Sequence, residues 1–171
     1  YKMQPATCSG SAYVNKEKVG GDGMASDGWW LVNPGFKDLN DPAQFGDPFV
    51  AWGRKLMQDN GIDPKASSSF STGIFFAWPL IQTWAVAGQL PGGLTRANVI
   101  LAVRALEMTH PGYLSGVRLH LDGNKDAYVA EGGVFQQWDG GKQLWVVKPP
   151  VVDLDGKSKP CAWDATAAVC K

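Results

Sequence analysis

The sequence predicts an α/β protein, in which helices and strands alternate at first and strands dominate the end of the chain. Apolar residues recur at helical spacing in three segments between residues 47 and 106, and a period of two begins after "HPGYLSG" at residues 110–116. Apolar residues form 44% of the 171 residues, enough for a hydrophobic core. This length fits one domain or a piece of a larger protein.

The first 28 residues are rich in Gly, Ser and Lys and have no sustained period, which predicts mostly loop with a short helix. The next segment, "WWLVNPG", predicts a short buried strand that Pro34 and Gly35 end.

The segment "GDPFVAWGRKLMQDNG" carries consistent helix signals. Asp47 suits the N-cap, Pro48 the first helical position and Gly61 the left-handed residue beyond the end. The spacing places one apolar face on this amphipathic helix, formed by Phe49, Val50, Trp52, Leu56 and Met57.

No Lys, Arg, Asp or Glu occurs from Ala66 to Thr95, and a helix is predicted there from near Ser71 to Gly88. Pro79 falls inside this segment and predicts a kink or an early turn. The apolar stretch of residues 73–88 would span only about 24 Å as a helix, less than the hydrocarbon of a bilayer. It also lacks basic or interfacial anchors, so we expect a core helix covered on nearly all sides and not a membrane span.

The segment "LTRANVILAVRAL" predicts a third helix with Thr95 as its cap. An apolar stripe is expected from Val99, Val103 and Leu106, with Arg96 and Arg104 facing outwards. Strands follow at "VRLHL", "YVAEGGVFQQW" and "QLWVV", with turns at "DGNKD" and "DGGK".

Three cysteines are present, and Cys161 and Cys170 enclose a short segment near the end of the chain. This spacing favours a local disulfide in an exported protein, with two buried free thiols as the alternative. Cys8 is then either free or paired outside this chain. The chain begins at Tyr1 without a signal segment, which suggests a mature or truncated product.

Several functional classes find no support. Sixteen basic residues balance sixteen acidic ones, so nucleic acid is not an expected partner. The turn at Asp122 lacks the Gly and Glu of a calcium loop, and the only histidines, His110 and His120, have no evident metal partner. No nucleophile motif or phosphate loop occurs, and Glu107 and Glu131 are interpreted as isolated surface carboxylates.

Neither a metal nor another cofactor is therefore expected, and no catalytic residue is predicted. Some of the eight Trp rings are expected to line a surface or a cleft.

The order of four segments resembles the C-terminal half of type I periplasmic solute-binding proteins, the receptors of ABC importers for branched-chain amino acids, amides and related small molecules. The resemblance runs over about residues 20–150. It rests on "GMASDGWWLV", "FVAWGRKLMQDNG", "GIFFAWPLIQTWAVAGQLPGGLTRANVILAVRAL" and "LSGVRLHLDGNKDAYVAEGGVFQQWDGGK". The long helix departs from the family, since "IFF" stands where members often carry Tyr-Asp-Ala.

The resemblance implies two three-layer α/β/α lobes joined by a hinge, which closes around a solute in the cleft. Residues 1–36 and 127–171 would belong to the C-terminal lobe and residues 37–126 to the N-terminal lobe. The N-terminal half of the receptor would lie outside this chain, either cut away or supplied by a second polypeptide.

The resemblance also nominates ligand-binding residues: Ser69, Phe70 and Ser71 before the long helix, and Ser9 and Ser11 in the loop "TCSGS". Helix capping, core packing and a solvated loop are the alternative roles. The implied function is non-catalytic solute binding outside the cytoplasmic membrane, on a protein anchored to the cell surface by lipid or free in the periplasm, with docking to an ABC permease. A sensor module of the same fold and an α/β enzyme completed by a missing chain are the alternatives.

Overall fold

The computed structural model describes residues 21–22, 24–66 and 68–171, except for the side chains of Ser68 and Ser69. The described part combines helices with antiparallel sheets, so the predicted mixture of α and β structure is confirmed. The helices are α1 (Pro48–Asp59), α2 (Ser68–Gln89) and α3 (Arg96–Arg104). The strands are β1 (Trp30–Asn33), β2 (Glu107–Met108), β3 (Leu119–His120), β4 (Gly132–Asp139), β5 (Leu144–Asp153), β6 (Trp163–Asp164) and β7 (Val169–Cys170).

Helix α1 begins as the sequence predicts. The Asp47 carboxylate accepts hydrogen bonds from the backbone N–H groups of Phe49 and Val50, at 2.9 and 3.1 Å. A 2.5 Å ion pair from Lys37 holds the same carboxylate. The buried face is rotated from the prediction, because α1 buries Gly53 and leaves Trp52 and Leu56 partly in solvent. Leu39 packs where Gly53 has no side chain, which turns this face towards the preceding loop.

Helix α2 has 22 residues and continues through Pro79, so it is longer than predicted. The sequence argument against a membrane span assumed a helix over residues 73–88 only, and α2 is longer than that. In the described residues, no helix combines the length and apolar character that crossing a membrane requires. The expected cover is also missing: Phe75, Thr83 and Ala87 are buried, whereas large apolar side chains on other sides of α2 are exposed.

Helix α3 packs against α2 and is capped by Thr95, whose hydroxyl accepts a 3.2 Å hydrogen bond from Asn98 N–H. Its buried residues are Asn98 and Ala102, whereas of the predicted stripe Val99 and Leu106 are only half-buried and Val103 is exposed. The Asn98 amide explains the rotation, because it donates to the carbonyl oxygens of Pro91 and Gly93 in the turn between the helices.

Strands β1, β4 and β5 form a three-stranded antiparallel sheet with β4 in the centre. Strands β4 and β5 are joined by the predicted hairpin turn after Asp139, and Trp138 lies opposite Trp145. The segment "VRLHL" is less extended than predicted, since only β3 pairs there, with β2. The predicted short helix before the sheet is a 3-10 turn at Met24–Ser26.

The C-terminal segment is closed by a disulfide between Cys161 and Cys170, as the sequence predicts. Cys161 is buried, and its backbone N–H donates to the Asp126 carboxylate while its carbonyl accepts from Ala127 N–H. The backbone N–H of Trp163 donates to the carbonyl oxygen of Asn124. The disulfide loop is thereby docked onto the turn that precedes β4, partly through the Asp126 carboxylate.

The largest cluster of buried apolar residues joins α1, α2 and the loop after β1. Its members are Leu39, Phe49, Val50, Met57 and Phe75, with Phe36, Ile62, Ile74 and Trp78 packed against them. Gly112 enters this cluster from the loop after β2. A Cβ atom at Gly112 would lie 2.4 Å from Phe75 and 2.5 Å from Phe49, so the rings leave space only for glycine.

We expect Gly112→Ala to lower the free energy of unfolding by about 2 kcal/mol, because the added methyl group overpacks two buried rings. Gly73→Ala is the matched control, since it adds the same methyl group to α2 where nothing lies within 4 Å. That control should be neutral or more stable by about 0.5–1 kcal/mol, because alanine favours a helix. Urea unfolding of both variants measures the difference, and equal free energies would contradict the predicted close packing.

Candidate ligand-binding site

The predicted site residues Ser69, Phe70 and Ser71 lie in the first turn of α2 and not in a loop before it. Phe70 is 45% exposed, so its predicted alternative role in core packing is wrong, and Ser71 is half-buried. The other nominated residues, Ser9 and Ser11, lie outside the described residues, as does Cys8. The structure thus places three of the five nominated residues on one helical turn.

The first turn of α2 can serve a ligand through its backbone. The first four N–H groups of an α-helix have no partner within the helix, and the helix dipole places partial positive charge on them. No acidic residue occupies this turn. This end of the helix therefore carries partial positive charge, with the exposed Phe70 ring beside it.

A buried histidine fixes the first half of α2. Pro79 has no N–H, so the carbonyl oxygen of Phe75 lacks its usual helical donor. His110 Nε2 lies 2.8 Å from this oxygen and donates to it, while His110 Nδ1 accepts a 2.9 Å hydrogen bond from Gly112 N–H. These two partners require the neutral ring with its proton on Nε2. Burial lowers the pKa of His110 below its ordinary value of 6.5, which favours the same neutral state.

A second group of polar side chains joins β2 and β3 to the segment after β5. Asp155 lies 3.0 Å from His120 Nδ1 and accepts from Arg118, which also forms a 3.1 Å ion pair with Glu107. Hydrogen bonding to Asp155 raises the pKa of His120, and the same contact is the main cause of the lowered pKa of Asp155.

The sequence interpretation of Glu107 and Glu131 as isolated was wrong, since Glu107 pairs with Arg118 and Glu131 accepts from Ser158 Oγ. Residues 107, 118 and 155 are distant in sequence, and no local pattern could reveal their proximity. Both histidines have the protein partners described above, and in the described ranges no three His, Cys, Asp or Glu side chains are grouped as a metal site.

Comparison of this chain with protein-family models, curated proteins and solved structures gives no significant match. The interpretation of the first turn of α2 therefore rests on its own residues.

The two histidines should affect stability in opposite directions as pH changes. Because the pKa of folded His110 is lowered, the unfolded chain binds more protons below about pH 6.5, so the stabilisation from His110 falls as pH decreases. Because the pKa of folded His120 is raised, its contribution is complete below about pH 6.5 and is lost as pH rises through the raised pKa.

Urea unfolding between about pH 5 and pH 8 tests this, with His110→Gln and His120→Gln compared with the unmodified chain. The unfolding free energy of His110→Gln should approach that of the unmodified chain at low pH. The unfolding free energy of His120→Gln should approach it at high pH. Differences that do not vary with pH for either variant would contradict the assigned protonation states.

Proposed function

We propose that this chain forms part of an extracytoplasmic solute-binding protein of an ABC importer. In this proposal it binds a small organic molecule such as an amino acid or an amide, without catalysis. The first turn of α2 faces the cleft, its backbone N–H groups and serines bind polar groups of the solute, and Phe70 covers an apolar part. The N-terminal half of the receptor and an ABC permease are the partners.

The observation that carries the proposal is the uncovered apolar surface of α2 and α3. Phe76, Leu80, Ile81 and Trp84 are 62%, 46%, 54% and 47% exposed, and Leu101 on α3 is 59% exposed. A half-exposed Leu or Ile forgoes roughly half of the 1.5–3 kcal/mol that full burial provides. Exposure of this many large apolar side chains is typical of a contact surface. A helix pair from one half of a binding-protein lobe would have this character before the rest of the lobe covers it.

The disulfide is compatible with this proposal, because such bonds persist in oxidising compartments outside the cytosol. The uncharged sequence from Ala66 to Thr95 also fits, since the covering surface then needs no charged groups to match it. The division of the chain between two lobes is part of the same proposal.

Ligand binding can be tested on the complete receptor by differential scanning fluorimetry against amino acids and amides. A ligand present at about 100 times its dissociation constant should stabilise the protein by about 2.7 kcal/mol. Phe70→Ala should weaken binding by roughly tenfold, equal to about 1.4 kcal/mol. Phe76→Ala removes a ring from the same helix outside the first turn, in the surface that the rest of the lobe would cover, and should leave the affinity unchanged.

Mass spectrometry of the ligand recovered after incubation separates binding from catalysis. Recovery of the unchanged compound agrees with a binding protein, whereas a chemically altered product would overturn the proposal in favour of an enzyme. Loss of affinity in Phe76→Ala but not in Phe70→Ala would place the ligand elsewhere.

The uncovered surface makes a separate prediction for the 171-residue chain. Ile81→Glu and Trp84→Glu should each reduce the fluorescence of the apolar dye ANS by about half, while the unfolding free energy changes by less than about 0.5 kcal/mol, as at exposed sites. Gln82→Glu is the matched control, because it adds the same charge to an exposed position between them without removing apolar surface. Equal ANS fluorescence in all three variants would show that the dye does not bind this surface.

A further inference from the structure

One face of the three-stranded sheet is open and carries a mixture of aromatic and charged side chains. The strand register aligns Val32, Phe135 and Lys148 in one row across the sheet. It aligns Trp30, Gln137 and Val146 in the next row, on the same face, because side chains alternate along each strand. Phe135 is 54% exposed and contacts Trp30 edge-on at 6.4 Å, so the two rings form an apolar wall.

A surface pocket of about 330 Å³ lies beside this wall, near the hairpin turn between β4 and β5. Its volume is at the lower end of the range for small-molecule sites. The pocket is lined by Asp27, Gly28, Gln137, Trp138, Asp139, Lys142, Val146 and Lys148. Two carboxylates and two ammonium groups therefore line it, and their formal charges cancel.

The charged groups are not all used within the protein. Lys142 forms a 3.1 Å ion pair with Asp139, whose pKa is lowered mainly by hydrogen bonds from Lys142. The Lys148 ammonium group, by contrast, has no ion pair or hydrogen bond with any residue in the described ranges. Asp27 uses one carboxylate oxygen to accept a 2.9 Å hydrogen bond from Gly140 N–H.

The remaining polar group, Gln137, is oriented by the protein. Its Nε2 donates a 3.1 Å hydrogen bond to the carbonyl oxygen of Gly28, so its Oε1 is available as an acceptor. The pocket thus offers an unpaired cation at Lys148, and at Asp27 and Gln137 it offers acceptors for N–H donors. A purely anionic ligand would be repelled by the two carboxylates, and a purely cationic ligand would be repelled by the two lysines.

We infer that this pocket binds a small zwitterion, with its carboxylate on Lys148 and its ammonium group on Asp27 and Gln137. Asp27 is hydrogen-bonded to Gly140 in the hairpin turn, directly after Asp139 at the end of β4. Lys148 on β5 lies opposite Phe135 of β4, which is four residues before Asp139. Four residues of strand extend about 13 Å, and the two side chains bridge only part of it. The ligand's charges must therefore be separated, as in an ω-amino acid or a dipeptide, and not adjacent as in glycine.

This site shares no residue with the first turn of α2, so it is a second binding site and does not depend on the proposed transport function. An NMR titration of the ¹⁵N-labelled 171-residue chain tests it with γ-aminobutyrate and glycylglycine as probes. Glycine, acetate and methylamine are the comparison compounds, because they lack either the charge separation or one of the charges.

We expect saturable shifts of the Gly28, Gln137, Gly140 and Val146 amide signals with the two probes, at dissociation constants on the order of 1 mM. The three comparison compounds should bind at least about tenfold more weakly, because each loses one charged contact or cannot span both. Absence of saturable shifts, or equal binding of acetate, would overturn the zwitterion site.

Two variants locate the contacts. Lys148→Gln and Asp27→Asn should each weaken probe binding by about tenfold or more, because each removes one of the two charges. Lys65→Gln is the matched control, since it makes the Lys148 substitution at an exposed lysine outside the pocket. Should Lys148→Gln fail to fold, Asp27→Asn gives an independent answer at an exposed position. Unchanged affinity in a folded Lys148→Gln or Asp27→Asn chain would contradict the assignment.

Discussion

The carbonyl oxygen of Phe75 sits where the backbone hydrogen bonding of the longest helix is interrupted, and the core depends on how it is satisfied. Pro79 removes the helical donor, and His110 Nε2 replaces it from a loop 35 residues away. An unpaired buried carbonyl would cost about 1–3 kcal/mol. The same histidine ring stacks on Tyr113 at 4.8 Å and receives Gly112 N–H on its other side, so one side chain joins the helix to the loop before β3.

This contact also explains why glycine follows two residues after the histidine. For His110 to reach Phe75, the loop must pass directly over the Phe49 and Phe75 rings, where even a methyl group would overlap them. Lys37 Nζ donates to the carbonyl oxygen of Pro111, and Lys37 N–H donates to that of Gly112, which holds the same loop from the other side. Because Lys37 also pairs with the Asp47 carboxylate, the cap of α1 and the support of α2 are linked by one side chain.

Local signals in the sequence predicted the elements well and their packing poorly. The caps at Asp47 and Thr95, the hairpin turn after Asp139 and the disulfide all depend on residues close in sequence, and all were confirmed. The buried faces of α1 and α3 were not, because the Gly53 contact with Leu39 and the Asn98 bonds to the turn override the apolar pattern. A periodic pattern shows which side of a helix carries apolar residues. Which side is buried depends on the neighbouring segments that pack against it.

The same limitation applies to the two candidate sites. The first turn of α2 was nominated only through the family resemblance, which implies that the segment before the long helix reaches the cleft. The pocket beside the hairpin could not be nominated, since Asp27 and Lys148 are 121 positions apart and only the antiparallel pairing of β1 and β5 with β4 brings their segments together.

The uncovered side chains of α2 and α3 set a physical condition on any function assigned to this chain. The buried positions Phe75, Thr83 and Ala87 are eight and four residues apart and account for a single stripe of α2, while Leu80, Ile81 and Trp84 are exposed. A soluble helix normally places polar residues on such sides. Here the sequence has no charge between Ala66 and Thr95 to supply them. Apolar residues kept on several sides of one helix are therefore best explained by contact with a further apolar layer, which the solute-binding proposal provides and an isolated chain of this fold does not.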